Sequence, residues 1–470
     1  MLHVVIAGAG IAGLAAAVSL RRAGHHVQLY EQSSLNNEIG AAITIPPNAS
    51  RILLAWGVRP QDWRFVLAEG ASAHDPFTMG KTMDFGSKGS AEKIGGAPMY
   101  LSHRVDLHNC LKWLATREQG PGVPAKIHRR SKVAAFKFKD PEAPSITLQN
   151  GEVIHADLIV GADGVHSRAA EAVLQHKVEA IAPQHSNICY RFLIPASVLE
   201  EDPETRHWNI TNRSRMRIFP HNDTQRRLVT YACRDNTVHN FVGLFYDESA
   251  RLGTEDWQAS VKVDEIVDRF KDFHPYIVKV IRKAKDVKRW PLLYRYPLKR
   301  WHRDMLVLVG DAAHPMLPHQ GQGGAQSIED GLVLGISLLG ARSRNDIERR
   351  LGIYQDVRRN RASVIQILSN IGQDLAQQLE KEVLPYLDKD KIPTNPAQIQ
   401  QFNFGYDAIQ AALEAMRRHE PGFSLPANFF DEKVVGVPPK TAVAVQRTGA
   451  SLPHCRSATT DAGPAAVEIS

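Results

Sequence analysis

Val4-Val-Ile-Ala7 is a short apolar run that ends at Gly8-Ala-Gly10-Ile-Ala-Gly13 and passes straight into Leu14-Ala-Ala-Ala-Val-Ser-Leu20. A strand, a glycine turn and a helix in immediate succession leave few architectures open. Gly8 allows the tight turn, Gly10 lets the backbone approach a pyrophosphate, and Gly13 lets the helix lie close to the strand. His25 to Tyr30 reads as a second strand and ends in Glu31. A carboxylate about 20 residues beyond the glycines is placed to bind a ribose hydroxyl. It would repel a 2′-phosphate, so the turn suits FAD or NAD. The expected fold class is α/β, a Rossmann-type domain.

The same succession recurs at Met305–Gly331. Met305-Leu-Val-Leu-Val309 reads as a buried strand, Gly310-Asp311 as a turn, Pro315 to Gly324 as a loop, and Ala325 onward as a helix. Backbone N–H groups and a positive dipole end therefore face whatever sits above that loop. Asp157-Leu-Ile-Val-Gly161-Ala-Asp163-Gly164 is a third strand ending in an acidic turn before a helix. Asn48 is placed to cap a helix over Ala49–Trp56, and Asn150-Gly151 to turn a hairpin.

Arg104 opens a helical pattern carrying Val105, Leu107, Cys110, Leu111 and Leu114. A cation there opposes the helix dipole. It implies an anionic partner, or an ion pair with Asp106; these residues alone leave both open. From Asn187 to Asp247 the pattern changes to strand-like runs, read as an antiparallel sheet inserted into the dinucleotide domain. Val263 to Ala284 is expected as helix. Long helices follow Gly331, through about Tyr386 and again from about Ala408 to Arg418.

The chain has 470 residues, 43% hydrophobic and 23% charged, which is a soluble globular composition with room for more than one domain. The formal charge is +7, but Lys and Arg are scattered, so a solvated basic surface fits better than a nucleic-acid partner. Cys110, Cys189, Cys233 and Cys455 are far apart, which fits a reducing, cytoplasmic setting and no metal site. No signal peptide and no membrane span are expected.

Gly8–Gly13 with Glu31, Asp157–Arg168 and Gly310–Gly331 together resemble the class A flavoprotein monooxygenases. The resemblance covers about residues 1 to 370. It is to the salicylate-hydroxylase-like branch with the p-hydroxybenzoate hydroxylase fold, which includes fungal secondary-metabolism enzymes. It implies a Rossmann-type FAD-binding domain with an inserted mixed or antiparallel β-sheet substrate domain and C-terminal helices. The expected FAD-binding portions are 1–75, 102–180 and 290–345, and the substrate portions are 76–101 and 181–289. A helical region over 346–430 and a disordered tail over 431–470 complete the chain.

The resemblance also implies site residues. Gly8, Gly10 and Gly13 would hold the FAD pyrophosphate and Glu31 the adenosine ribose. The Ala42 backbone would contact FAD, and Arg104 would face its ribityl–phosphate part. Asp163 would serve both FAD and the nicotinamide cofactor, and Asp311 would bind the ribityl chain. Gly323 and Gly324 would lie near the flavin pyrimidine edge, where a helix N-terminus stabilises the charge of the reduced ring. Pro318 would line the flavin face. His314 and His319 are tempting as bases, but His314 belongs to the family turn and reads as structural.

Arg191 and Tyr231, on candidate strands, match positions important in related fungal hydroxylases. Facing one pocket, they would hold a phenolate, the arginine favouring the ionised form; otherwise they are a surface and a packed residue. The implied activity uses NADPH or NADH and O2 to hydroxylate a phenolic ring through a flavin C4a-hydroperoxide. The absence of a second GxGxxG fits transient NAD(P)H binding. An epoxidase of an indole or alkene and a non-catalytic flavin-binding interaction protein are the alternatives. A monomer or homodimer is expected.

Overall fold

The computed structural model describes residues 1–35, 41–138, 143–179, 181, 187–248, 260–371 and 376–431. In the first third, strand β1 (His3–Ala7) leads into helix α1 (Ile11–Arg22) and β2 (His26–Tyr30). Next come β3 (Ala42–Ile45), α2 (Pro47–Ala55), β4 (Ala71–His74), β5 (Lys81–Gly86), β6 (Tyr100–His103), α3 (Arg104–Thr116) and β7 (Lys126–His128). The middle holds β8 (Leu158–Gly161), α4 (Arg168–Leu174), β9 (Ile188–Pro195), β10 (Met216–His221), β11 (Arg226–Cys233) and β12 (Val238–Phe245). Helices α5 (Val263–Phe270) and α6 (Pro275–Ile281) precede β13 (Lys285–Pro291), β14 (His302–Arg303) and β15 (Leu306–Leu308). Helices α7 (Gly323–Leu338), α8 (Arg344–Ile371) and α9 (Ala408–His419) lie in the last third.

The first sheet has the order β14-β15-β8-β1-β2-β7, parallel except for the edge strand β14. Its central strands are continuous Val/Ile/Leu runs because both faces are covered. Every residue of α1 is buried. The sheet lies on one side of it and α7 on the other. An added Cβ at Gly331 would meet Ala15 at 2.4 Å and one at Gly335 would meet Ser19 at 2.1 Å. Residues 331 and 335 therefore meet 15 and 19 in the same order, so α1 and α7 run parallel with their N-termini side by side.

The second sheet has eight strands, in the order Ser260–Val261, β13, β9, β12, β11, β10, β4, β5. Neighbours are antiparallel except β10 and β4. Strand residues alternate between faces. Tyr190, Phe192, Phe241 and Phe245 face α5 and α6 in an aromatic core. Tyr231 and Cys233 pack on the opposite face against Ala42 and Leu101, and Cys189, Val242 and Leu244 pack there against Leu292 and Leu317. That second face meets β3, β6 and the segment around Leu317.

Four expectations change. The chain enters the eight-stranded sheet at Ala71, ahead of the expected boundary at 75, through a strand (Ala-Ser-Ala-His) that carries no β-branched signal. Asn48 does not cap α2; Pro46 stands at that position and Asn48 turns inward, fully buried. The helix expected over 263–284 is two, because Pro275 has no N–H to continue α5 and His274 caps a new helix, its Nδ1 accepting from Tyr276 N–H at 3.2 Å. Asp431, at the start of the expected tail, is ordered against Arg22 and Arg117; the remainder, 432–470, lies outside the described residues. Among the described residues no helix is long and apolar enough to cross a membrane, and no group of His, Cys, Asp and Glu could hold a metal ion.

Candidate active site

Strands β15, β8, β1 and β2 are neighbours and parallel, so their carboxyl ends lie along one edge. Asp311, Asp163, Gly8–Gly10 and Glu31 follow those four ends in turn. The order of connections reverses at β1, and ligands of such sheets bind in the crevice outside the carboxyl ends there. The three glycines differ in their surroundings. Gly8 has φ +106°, and a Cβ on it would strike the Ala162 carbonyl oxygen at 2.3 Å. A Cβ on Gly13 would strike the Gly8 carbonyl oxygen at 2.1 Å, while one on Gly10 would meet no protein atom within 4 Å.

Gly310, at φ +62°, is wedged against α1, its added Cβ 2.4 Å from Ala12 Cβ. This brings Asp311 to the paired N-termini of α1 and α7. Neither terminus has a side-chain cap, so their first-turn N–H groups and dipoles face the same crevice. Gly324 stands against Ile43, where a Cβ would be 2.6 Å from Ile43 Cδ1.

Asp311 is exposed to solvent, yet dense surrounding protein raises its carboxyl above the usual range, with His314 and Arg104 acting against that rise. An accessible carboxylate so enclosed lies in a recess. Arg104 begins α3 within electrostatic reach of it, and the Asp106 carboxylate takes Arg234 in a two-point pair at 2.9 and 3.0 Å. Glu31 accepts from Ala9 N–H at 2.9 Å and from Ser33 N–H at 2.7 Å, so it also braces the glycine turn. Asp163 accepts from the Ser167 hydroxyl and from Ala169 N–H, which ties its turn to the start of α4; burial pushes its carboxyl up. Ala42 donates its N–H to Asn240 Oδ1 at 3.3 Å. Pro318 is exposed, whereas Leu317 beside it is buried against the second sheet. His314 is fully buried, with Nε2 2.6 Å from Asp330 and its ring on Trp301, a structural place.

Arg191 on β9 and Tyr231 on β11 share the sheet face turned to this crevice. The Arg191 guanidinium lies 4.6 Å over Trp290, its Nε is buried without an acceptor, and no carboxylate pairs with it among the described residues. Burial pushes the Tyr231 phenol up, and the Arg191 charge pulls against that rise, so the two groups feel one another. Burial also raises the Cys189 thiol, to about 11, again with Arg191 acting against it.

Sequence reasoning did not assign the residues behind the crevice to the site. His108 Nε2 is 2.7 Å from the Ala9 carbonyl and supports the glycine turn from α3. Asn48, Glu329, Asp330, Arg358 and Arg361 form a buried polar network behind α7. Its local trace was Glu329-Asp330 inside an otherwise apolar helix, with two arginines three residues apart on the next one.

A flavin dinucleotide fits this donor set. The space at Gly10 and the α1 terminus suit a pyrophosphate, Glu31 and Asp311 suit hydroxyl groups, and the α7 terminus suits an electron-rich ring edge. Residues 1–366 match the model of the FAD binding domain family, and the chain belongs to that family. It is an FAD-dependent monooxygenase. It is 48% identical to FAD-dependent monooxygenase cfoG of Aspergillus candidus, over 91% of this chain and 98% of that protein. It is 34% identical to hispidin-3-hydroxylase of Neonothopanus nambi, over 77% of this chain and 86% of the relative. A salicylate hydroxylase substrate complex shares the fold with a TM-score of 0.66 at 22% identity, covering 91% of this chain and 98% of that one.

Proposed function

We propose that the protein uses NAD(P)H and O2 to hydroxylate a phenolic or similarly electron-rich ring whose ionised oxygen is held by Arg191. The carrying observation is a guanidinium with no carboxylate partner among the described residues, on the crevice face, stacked on Trp290 and near Tyr231. Bound FAD supplies the oxygen-activating redox chemistry. The chain's residues do the rest. Arg191 favours the phenolate, which is the more electron-rich form of the ring. The Tyr231 hydroxyl, which makes no hydrogen bond among the described residues, is free to donate to the same oxygen. Val242, Leu244, Leu292 and Leu317 keep the surroundings dry. The α7 terminus would stabilise negative charge on the bound ring system.

Relatives named for their substrates point the same way. They include hispidin-3-hydroxylase, a 3-amino-4-hydroxybenzoate 2-monooxygenase of Streptomyces cremeus at 32% identity, and a 6-hydroxynicotinate 3-monooxygenase at 27%. None favours the epoxidase alternative. A cytoplasmic site of action belongs to the same proposal, supported by the free, buried thiols of Cys110, Cys189 and Cys233.

The test is substrate-stimulated NAD(P)H oxidation over phenol, salicylate, hispidin and 6-hydroxynicotinate, with mass spectrometry of products. A product heavier by one oxygen atom is expected from at least one ring. Arg191→Ala should keep its FAD and lose roughly 10- to 100-fold in substrate affinity, the factor expected for a charge-assisted hydrogen bond. Unchanged substrate affinity and turnover in that variant would remove Arg191 from the reaction.

A further inference from the structure

Asn240 joins the two halves of the site. It lies on β12, opposite Leu193 of β9 on one side and Tyr231 of β11 on the other. It is fully buried, and its neighbours along the same face are Val238, Val242 and Leu244. An aliphatic side chain would fill that place without desolvating a polar group. The reason for an amide lies across the domain interface, where Ala42 N–H reaches Asn240 Oδ1 at 3.3 Å. A backbone N–H can only donate, so the amide's orientation is fixed. The Nδ2 group is then left buried with no acceptor among the described residues. Buried donors without acceptors are uncommon and unfavourable. What the position keeps in exchange is the acceptor for Ala42. Ala42 and Tyr231 belong to one apolar cluster, so this hydrogen bond crosses from the strand expected against the flavin to the sheet face that carries Tyr231.

We propose that Asn240 is a positioning residue that registers the substrate-binding face against the flavin-contacting strand β3. The inference rests on Arg191 and Tyr231 as substrate contacts and on Ala42 as a cofactor contact. Oxygen transfer needs the ring carbon and the cofactor held to a fraction of an ångström, and a small misplacement favours loss of activated oxygen over its transfer. Asn240 thus governs coupling, the amount of hydroxylated product per NAD(P)H consumed, rather than affinity for either ligand alone.

Asn240→Val removes the acceptor and Asn240→Asp keeps one. In the purified, flavin-loaded protein, three quantities are read: hydrogen exchange of the amides over residues 42–45, the dissociation constant for FAD, and product per NAD(P)H with whichever ring of the panel above the wild type hydroxylates. Asn240→Val should speed exchange at Ala42, hold FAD, and lower product per NAD(P)H by about fivefold, the factor an ordinary hydrogen bond is worth. Asn240→Asp should return both exchange and coupling toward wild type. Wild-type coupling in Asn240→Val overturns the inference while leaving the function intact, provided Arg191→Ala loses substrate affinity. If Asn240→Val fails to hold FAD, Asn240→Asp decides: native coupling supports the inference and uncoupling overturns it. If the wild type hydroxylates no ring of the panel, the functional reading falls and this inference falls with it.

Discussion

Arg358 Nε and Asp330 Oδ1 stand 2.8 Å apart, and both side chains are fully buried. The other Asp330 oxygen accepts from Gly310 N–H at 2.8 Å and meets His314 Nε2 at 2.6 Å. The pair therefore reaches from α8 through α7 to the turn that carries Asp311. Glu329 beside it is held by Arg358 and, at 2.9 Å, by Arg361. Two carboxylates and two guanidinia balance in a dry interior. Burial alone would raise the Asp330 carboxyl, but His314 and Arg358 hold it below the usual carboxylate range.

Breaking this arrangement from one side leaves a desolvated charge. Asp330→Asn should lower the unfolding free energy by about 3–5 kcal/mol, the usual cost of orphaning a buried ion. It should also weaken FAD binding, because the amide offers one acceptor oxygen where the carboxylate has two, and Gly310 N–H and Arg358 then compete for it. Urea denaturation and fluorescence titration with FAD measure the two effects. Adding Arg358→Met to Asp330→Asn should cost less than the sum of the single changes, since the residues share one network.

The glycine turn allows a sharper separation of folding from binding. Gly10 has φ −73°, which alanine accepts, and an added methyl meets no protein atom within 4 Å. Gly10→Ala should fold with native stability, or gain up to about 1 kcal/mol from a stiffer unfolded chain, and lose FAD affinity. Gly8→Ala should fail earlier, because its φ of +106° and the Ala162 carbonyl oxygen 2.3 Å away leave no place for a methyl. Thermal unfolding without added FAD distinguishes them; equal destabilisation of the two would contradict the assignment of Gly10 to the cofactor.

The residues at the strand ends were legible because strand, glycine turn and helix are written within a few consecutive positions. Asp311, Asp163 and Glu31 could be placed without knowing the sheet order, and the parallel order then set them side by side. The polar network was not legible. Asn48 meets Glu329 across 281 positions of sequence, and nothing near Asn48 distinguishes an inward-turned amide from a helix cap. Asn240 escaped for the same reason: a single amide in a largely apolar strand has no local meaning until Ala42 is seen against it. Ala71–His74 escaped because its place comes from pairing with β10 and not from its own composition.

Tyr231 offers a prediction tied to pH. Its phenol has an ordinary value of 10.0, and burial raises it, with Arg191 opposing. It should therefore remain a proton donor across the neutral and mildly alkaline range. Tyr231→Phe is expected to weaken binding of the hydroxylated ring by about 3- to 10-fold, one hydrogen bond's worth, without altering the shape of the pH dependence of substrate affinity below pH 10. Substrate titrations followed by the flavin absorption change, for wild type and variant over that range, test both points. An alkaline inflection near pH 9 that vanishes in Tyr231→Phe would contradict the buried-donor role.

Three buried histidines contribute to the acid sensitivity of the fold. Burial is the main cause that lowers His25, His103 and His239 from 6.5 to about 4. Between those values the unfolded chain binds more protons than the folded one, so stability rises with pH there and falls on acidification. Above pH 6.5 these groups contribute no slope. His239 is the cleanest to test, because its Nε2 is 2.8 Å from Asn209 Oδ1 and its Nδ1 is buried without a partner. Each histidine should account for on the order of 1–3 kcal/mol of stability lost from about pH 6.5 toward pH 4. His239→Gln keeps a donor for Asn209 and removes the titration. Urea unfolding at half-unit pH steps should give a shallower decline for this variant over that window and the same plateau above it; an identical decline would place the acid sensitivity elsewhere.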